Sequence, residues 1–225
     1  RALAALGAQE RPPDQVVLVD AGSTDATAQL LAASGHPMVS SDPARGFAGA
    51  VAAGVAAGPG PGTAPDAAVA WYWLLHDDSA ADPTCLAQLL LGADRNPAAT
   101  LVGPKAVAWS DPDVLVSIGH LWAPGAPVVE KLEPRERDQG QYDVDRPVYA
   151  LDTAGMLVHR STWQALDGLD GDAPGWAAGA DLSRRVWGSG GAVLLVPAAR
   201  LAHRRARHHA VRAPGVNDTT VARIW

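Results

Sequence analysis

The chain has 225 residues, 48% of them hydrophobic and 19% charged, with a net charge of −6. That is enough apolar material for one sizeable core, and the acidic balance argues against general nucleic-acid binding. The single cysteine, Cys85, excludes an internal disulfide or a thiolate zinc cluster and suits a reducing compartment, and no apolar stretch approaches the roughly 20 residues that cross a bilayer.

Arg1 to Gln9 has helical composition and is broken by Pro12, Pro13 and Asp14 before a short apolar strand, Val16 to Val19, that ends at Asp20. Ala21 to Ala26 (AGSTDA) places hydroxyls and a carboxylate where a starting helix has free N–H groups, so a helix begins near Ser23 to Asp25 and runs through Ala33. Pro37 to Ser41 reads as a second strand, Gly46 to Ala57 as a small-residue helix, and Gly58 to Gly62 (GPGPG) as a loop. Val69 to Leu75 is the next strand, Pro83 to Ala93 a helix, and Thr100 to Val107 a strand carrying Gly103 and Pro104. From Ser110 to Arg146 the pattern dissolves into Pro, Gly and charge, as hairpins and loops beside a sheet do. Val148 to Val158 reads as strand and turn around Gly155, Ser161 to Leu166 and Asp181 to Val186 as helices, and Val193 to Val196 as a strand stopped by Pro197. Arg200 to His203 then leads to a basic tail with Arg204, Arg205, Arg207 and Arg212, which either meets phosphate or an anionic surface or is simply solvated. Strands alternating with helices at short spacing predict an α/β layered fold with a mostly parallel sheet.

Trp71 to Ser79 (WYWLLHDDS) is the most informative stretch, an apolar run that ends in His76, Asp77 and Asp78. Adjacent carboxylates repel, so a divalent cation or a basic partner is their natural compensation, and ligands of open α/β sheets collect at the carboxyl ends of strands. The alternative is that Asp78 or Ser79 caps the helix that follows. Asp20, Ser23 and Asp25, at another strand end, divide in the same way between ligand contact and capping. Arg45 is a candidate to reach a phosphate, with Gly46 and Gly49 allowing close backbone approach, although a Gly-containing helix start is common by itself.

Taken in order, these segments resemble the family-2 inverting glycosyltransferases of the type that builds bacterial envelope polysaccharides. Val16 to Asp25 (VVLVDAGSTD) is similar to that family's strand and Asp-rich turn, Arg45 to Gly54 (RGFAGAVAAG) to its Gly-Phe helix start, and Trp73 to Pro83 (WLLHDDSAADP) to its metal-binding Asp-x-Asp segment. Gly155 to Gly168 (GMLVHRSTWQALDG) is similar to its acceptor-side segment, and Val193 to His203 (VLLVPAARLAH) to its closing strand and terminal His. The resemblance implies a GT-A (Rossmann-like) three-layer sandwich over residues 1–212, with residues 1–108 as the nucleotide-sugar half, 109–212 as the acceptor half and 213–225 as a tail. It implies a nucleotide diphosphate-sugar donor, a glycan or lipid-linked acceptor, and Mn²⁺ or Mg²⁺ held by Asp78, Asp77 and His203, with His76 as a further ligand or hydrogen-bond partner. Asp20, Gly22, Ser23, Arg45, Gly46 and Asp77 would line the donor, with Asp20 accepting a hydrogen bond from the base. No nucleic-acid partner is implied. The family's first strand is absent ahead of Arg1, so a longer parent chain is expected, with membrane segments beyond the basic tail and a cytoplasmic site at the inner face of the membrane.

Inversion needs a general base to take the acceptor proton. Aligning Asp181-Leu182 with the Asp-Leu that follows the family's acidic pair puts Ala178 and Gly179 at the acidic positions. Asp181 is then the candidate base or a helix-start partner of Arg184 and Arg185, with Asp170 and Asp172 as alternatives and Trp176 as a platform for an acceptor sugar. The competing reading is a catalytically degenerate domain that binds or scaffolds within a larger membrane-associated protein, and a nucleotidyltransferase is a third.

Overall fold

The computed structural model describes residues 1–57, 70–121, 129–130, 132–175, 177–205 and 219–224. The Gly58 to Gly62 loop, Trp176, Arg207 and Arg212 lie outside these residues. In chain order the elements are α1 (Ala2–Gly7), β1 (Gln15–Asp20), α2 (Thr27–Ala33), β2 (Met38–Ser40), a 3₁₀ turn (Pro43–Arg45), α3 (Gly46–Ala56), β3 (Trp71–His76), β4 (Ser79–Ala81), α4 (Cys85–Arg95) and β5 (Ala99–Ala108). They continue with β6 (Leu115–Ser117), β7 (His120–Leu121), β8 (Val129–Glu130), β9 (Arg146–Pro147), β10 (Leu157–His159), α5 (Arg160–Ala165), α6 (Ala178–Gly188), β11 (Ala192–His203) and β12 (Thr219–Ile224).

Among the described residues one ten-stranded sheet runs in the order β2-β1-β12-β3-β10-β5-β11-β4, with β6 beside β5 and β9 beside β11. β2, β1, β3, β5 and β11 share one direction, while β12, β10 and β4 run against their neighbours, so the sheet is mixed. The unbroken apolar runs of β1 and β3 are explained by burial on both faces. Side chains alternate across that sheet: Tyr72 and Leu74 join α3, α5 and α6 in one core, and Trp73 and Leu75 join α1 and α4 in the other. These are the three layers of the expected sandwich. Gln9, nearly buried, ties α1 to the start of α4 by donating to the Asp82 carbonyl and accepting from the Leu86 N–H.

Four segments depart from the sequence pattern. Ser79–Ala81 is a short strand on β11 rather than a cap. Of the Val148 to Val158 stretch only Leu157 and Val158 are strand, which continues to His159; the turn before it needs Gly155, whose φ of +82° an L side chain rarely adopts. β11 does not stop at Pro197 but continues to His203, and its pairing with β5 shifts register between Val196 and Arg200, opposite Pro104, where missing N–H groups are tolerated. Thr219–Ile224, in the expected tail, lies between β1 and β3 and pairs antiparallel with both. β12 thereby joins β1 and β3 into one continuous sheet.

β5 also carries a buried cation. Lys105, 2% exposed, reaches Asp138 Oδ2 at 2.7 Å and the Asp143 carboxylate, and Arg200, its register partner on β11, donates to Asp138 at 3.0 Å. Burial by itself raises the Asp138 pKa, but the hydrogen bond and charge of Lys105, with Arg200 behind them, hold it below its ordinary value. This ion cluster pins the irregular 133–145 segment to the sheet.

Candidate functional site

β3 leaves the core at His76, and a tight turn through Asp77 and Asp78 delivers the chain to β4. Ser79 closes that turn, its hydroxyl donating to the His76 carbonyl at 2.7 Å and accepting from the His76 N–H at 3.2 Å. β4 then pairs with β11 in a register that sets Ser79 opposite His203, and the Arg204 N–H donates to the Asp78 carbonyl at 2.9 Å. This backbone pairing brings His203 Nε2 to 3.2 Å from Asp78 Oδ1, across 125 residues of sequence. His76 Nδ1 lies 3.9 Å from the same oxygen. One ligand atom from each of His76, Asp78 and His203 falls within 4.8 Å of the others.

The donor set suits a divalent ion. Burial, followed by the neighbouring His203, pushes the His76 pKa down to about 4, against the opposing pull of Asp78 and Asp77, so the imidazole is neutral near pH 7 and keeps a lone pair to give. Its Nε2 is hydrogen-bonded to Thr153 Oγ1 at 2.9 Å. In the tautomer that carries the proton on Nε2, Nδ1 is directed at the cluster, the usual arrangement by which an outer partner orients a metal-binding imidazole. Phe47, in the first turn of α3, packs edge-on against the His76 ring at 5.0 Å. Asp77 sits in the same turn and its charge acts on His76, but it is not one of the three clustered groups.

The donor-side candidates lie at the ends of β1 and β2 and the start of α3. Asp20 Oδ1 accepts from the Ser23 N–H at 2.9 Å, and Asp25 Oδ1 from the Thr27 N–H at 2.9 Å, so both carboxylates cap local turns. Gly22, at φ +84°, packs against Pro43. Arg45 is exposed and leads directly into Gly46 and Phe47, which ties it to the helix start that touches His76.

Among the acceptor-side candidates, Asp181 takes the helix-start place beside Arg184 and Arg185 that the sequence offered as the alternative to a base. Asp181 is engaged by Arg184 at 3.1 Å and Arg185 at 2.7 Å, while Arg185 also donates to the Leu166 and Gly168 carbonyls. Asp170 accepts from the Asp172 N–H in an exposed turn. Ala178 and Gly179 are buried, and a Cβ added at Gly179 would stand 2.2 Å from the Leu151 carbonyl oxygen and 3.1 Å from the Thr153 nitrogen. α6 therefore presses its bare backbone on residues 151–153.

That segment contains a residue the motifs do not mark. Asp152 accepts from His120 Nε2 at 3.1 Å and faces Arg205 Nη2 at 3.5 Å. It lines one small cavity together with Pro104, Ser117 and His203. Burial favours its neutral form, but the hydrogen bond and charge of His120, with Arg205 and Ser117, outweigh it and hold Asp152 well below the usual carboxylate range. Arg205 has φ +48°, an uncommon left-handed backbone for arginine. His120 is set in place by its bridge to Ala150, two residues before Asp152. These groups come from segments far apart in sequence with no characteristic spacing. The usable hint was chemical: a lone Asp flanked by the buried Leu151 and Thr153 requires a donor.

Comparison with known proteins identifies the family and the fold. A family model, glycosyl transferase family 2, matches residues 1–133. A solved structure titled "Crystal structure of GalNAc-T7 with UDP, GalNAc and Mn2+" superposes with a TM-score of 0.63 at 14% sequence identity, over 85% of this chain and 38% of that one. The chain thus spans well under half of that protein, and the likeness is one of fold. No curated protein matches the chain in sequence.

Proposed function

The chain belongs to glycosyl transferase family 2, and on that premise we propose that it moves a sugar from a nucleotide diphosphate-sugar to a glycan or lipid-linked acceptor, with inversion and with a divalent cation held by His76, Asp78 and His203. The observation that carries the reading is the clustering of those three groups at the carboxyl end of β3. A cation there would neutralise charge building on the departing diphosphate. Two imidazoles among three ligands favour Mn²⁺ over Mg²⁺, which prefers oxygen donors. The structural relative was solved with UDP and Mn²⁺, and we extend both to this chain as the first to try.

The protein's own groups divide the work. Thr153 orients His76, Ser79 fixes the turn that presents Asp78, and the β4–β11 register holds His203. Arg45 and the α3 start are offered to the donor diphosphate, and Asp20 and Ser23 to the nucleoside. We assign the acceptor to the 109–212 half, and the protein to the inner face of a membrane.

The test is calorimetric titration of UDP, GDP and dTDP with and without Mn²⁺, using Asp78→Ala as the control. Mn²⁺-dependent binding of one nucleotide, lost in the variant, is the expected result; binding that is unchanged in Asp78→Ala would refute the reading. Proton NMR of the first-formed product decides inversion. A binding domain without transfer is the second reading, favoured by the buried Ala178 and Gly179; nucleotide binding with no release of nucleoside diphosphate from any of the corresponding sugars would select it.

A further inference from the structure

We propose that Asp152 is the general base of this site, with His120 as its positioning residue; the proposal rests on the glycosyl-transfer reading above. Three observations converge on it. First, Asp152 and the metal-site His203 line the same small cavity, so a group of the size of one hydroxyl or water there meets both. Second, the adjacent Thr153 is hydrogen-bonded to His76, which fixes the Asp152 backbone relative to the metal cluster. Third, the other carboxylate candidates do not line this cavity: Asp181 sits on α6 beside Arg184 and Arg185, and Asp170 and Asp172 lie in an exposed turn.

The close approach of α6 gives the arrangement its rigidity. Gly179 lets the helix backbone meet Leu151 to Thr153 directly, and Ser183 Oγ accepts from the Leu151 N–H at 3.2 Å while donating to the Gly179 carbonyl at 2.7 Å. Asp152 is therefore held between a helix it cannot penetrate and the His120 ring at 3.1 Å. In the step assigned to it, the acceptor hydroxyl oxygen bonds to the anomeric carbon as the carbon–oxygen bond to the diphosphate breaks. The electron pair of that bond leaves with the nucleoside diphosphate, and the hydroxyl proton passes to an Asp152 carboxylate oxygen. The hydroxyl becomes acidic as its oxygen bonds to carbon, so a carboxylate kept fully ionised by His120 and Arg205 is competent to receive its proton.

The experiment uses water as acceptor and the UDP-, GDP- or dTDP-sugar whose nucleotide binds in the calorimetric titration, with Mn²⁺, reading nucleoside diphosphate release. Asp152→Asn is expected to lower the rate about 100-fold or more, with Mn²⁺-dependent nucleotide affinity unchanged; that binding also reports a folded site. Asp152→Glu, which keeps a carboxylate one methylene away, is expected to recover part of the rate, and His120→Gln to lose about tenfold in kcat with KM unchanged. Release by Asp152→Asn at the wild-type rate would overturn the assignment while nucleotide binding left the glycosyl-transfer reading standing. Loss of nucleotide binding in Asp152→Asn would overturn it too, since the residue would then serve the donor or the fold. A wild-type protein that binds no nucleotide, or binds one and releases none, would remove both.

Discussion

Gly179→Ala is the most economical perturbation of the site, because it adds one methyl group without touching a polar side chain. The new Cβ would stand 2.2 Å from the Leu151 carbonyl oxygen, where ordinary contact begins near 3.4 Å, so helix and loop must separate by about 1 Å. Overpacking of this kind costs about 1–3 kcal/mol, and stretching the Leu151 N–H bond to Ser183 adds about 1 kcal/mol. At about 2–4 °C per kcal/mol for a chain of this size, the melting temperature should fall by roughly 5–15 °C. The displaced loop carries Thr153 and Asp152, so the bond that orients His76 lengthens as well, and Mn²⁺ affinity should weaken about tenfold. Differential scanning calorimetry and a Mn²⁺ titration check the two effects separately. A variant that melts within about 2 °C of wild type would refute the packing argument, and one that is destabilised with unaltered Mn²⁺ affinity would refute the link from α6 to His76. Gly179→Asp, which places an acid at one position of the family's pair, should fare worse, because it adds a buried carboxylate to the same clash.

Lys105→Met strips Asp138 of its main partner while Arg200 remains, and should destabilise by about 3 kcal/mol, partly recovered in Lys105→Met/Asp138→Asn; equal stability of the single variant and wild type in urea would contradict this. Because the Asp138 pKa is lowered in the fold, its contribution is complete above about pH 4 and is lost as pH falls through the folded value, so the advantage of wild type over Lys105→Met should shrink on acidification. Asp181→Ala removes only ion pairs within α6 and should cost about 0.5–1 kcal/mol with nucleoside diphosphate release unchanged; a 100-fold loss of release would transfer the base role to Asp181. Deleting residues 219–224 leaves β1 and β3 with facing unpaired edges and should yield a protein that aggregates in light-scattering assays; a monodisperse, cooperatively melting product would show that β12 is dispensable.

Local chemistry explains what could be read from the residues. β1 and β3 are apolar runs long enough to announce buried strands, and the charges that end β3 mark the site because charge at the end of such a strand needs compensation. His203 was marked through the resemblance to a family whose closing strand leads to a histidine, and β11 ends on it. β4 was hidden because Ser79-Ala-Ala carries no strand signal and exists through its pairing with β11. The His120–Asp152 pair was hidden for a related reason, since the bridge from His120 to Ala150 creates their proximity and leaves no trace in spacing. Lys105 was the overlooked clue: a lysine inside an otherwise buried strand requires a carboxylate, and the acidic 133–145 segment supplies it.

The position of β12 has a kinetic side. Gln15–Asp20 and Trp71–His76 cannot be joined into one sheet until Thr219–Ile224 has been synthesised and inserted between them, about 200 residues after the first of those strands. Such long-range closure is slow, and until it occurs two apolar strands present open edges. Folding should therefore show a late phase sensitive to mutation in β12, preceded by a window in which chaperone capture or strand pairing between copies competes with the native fold.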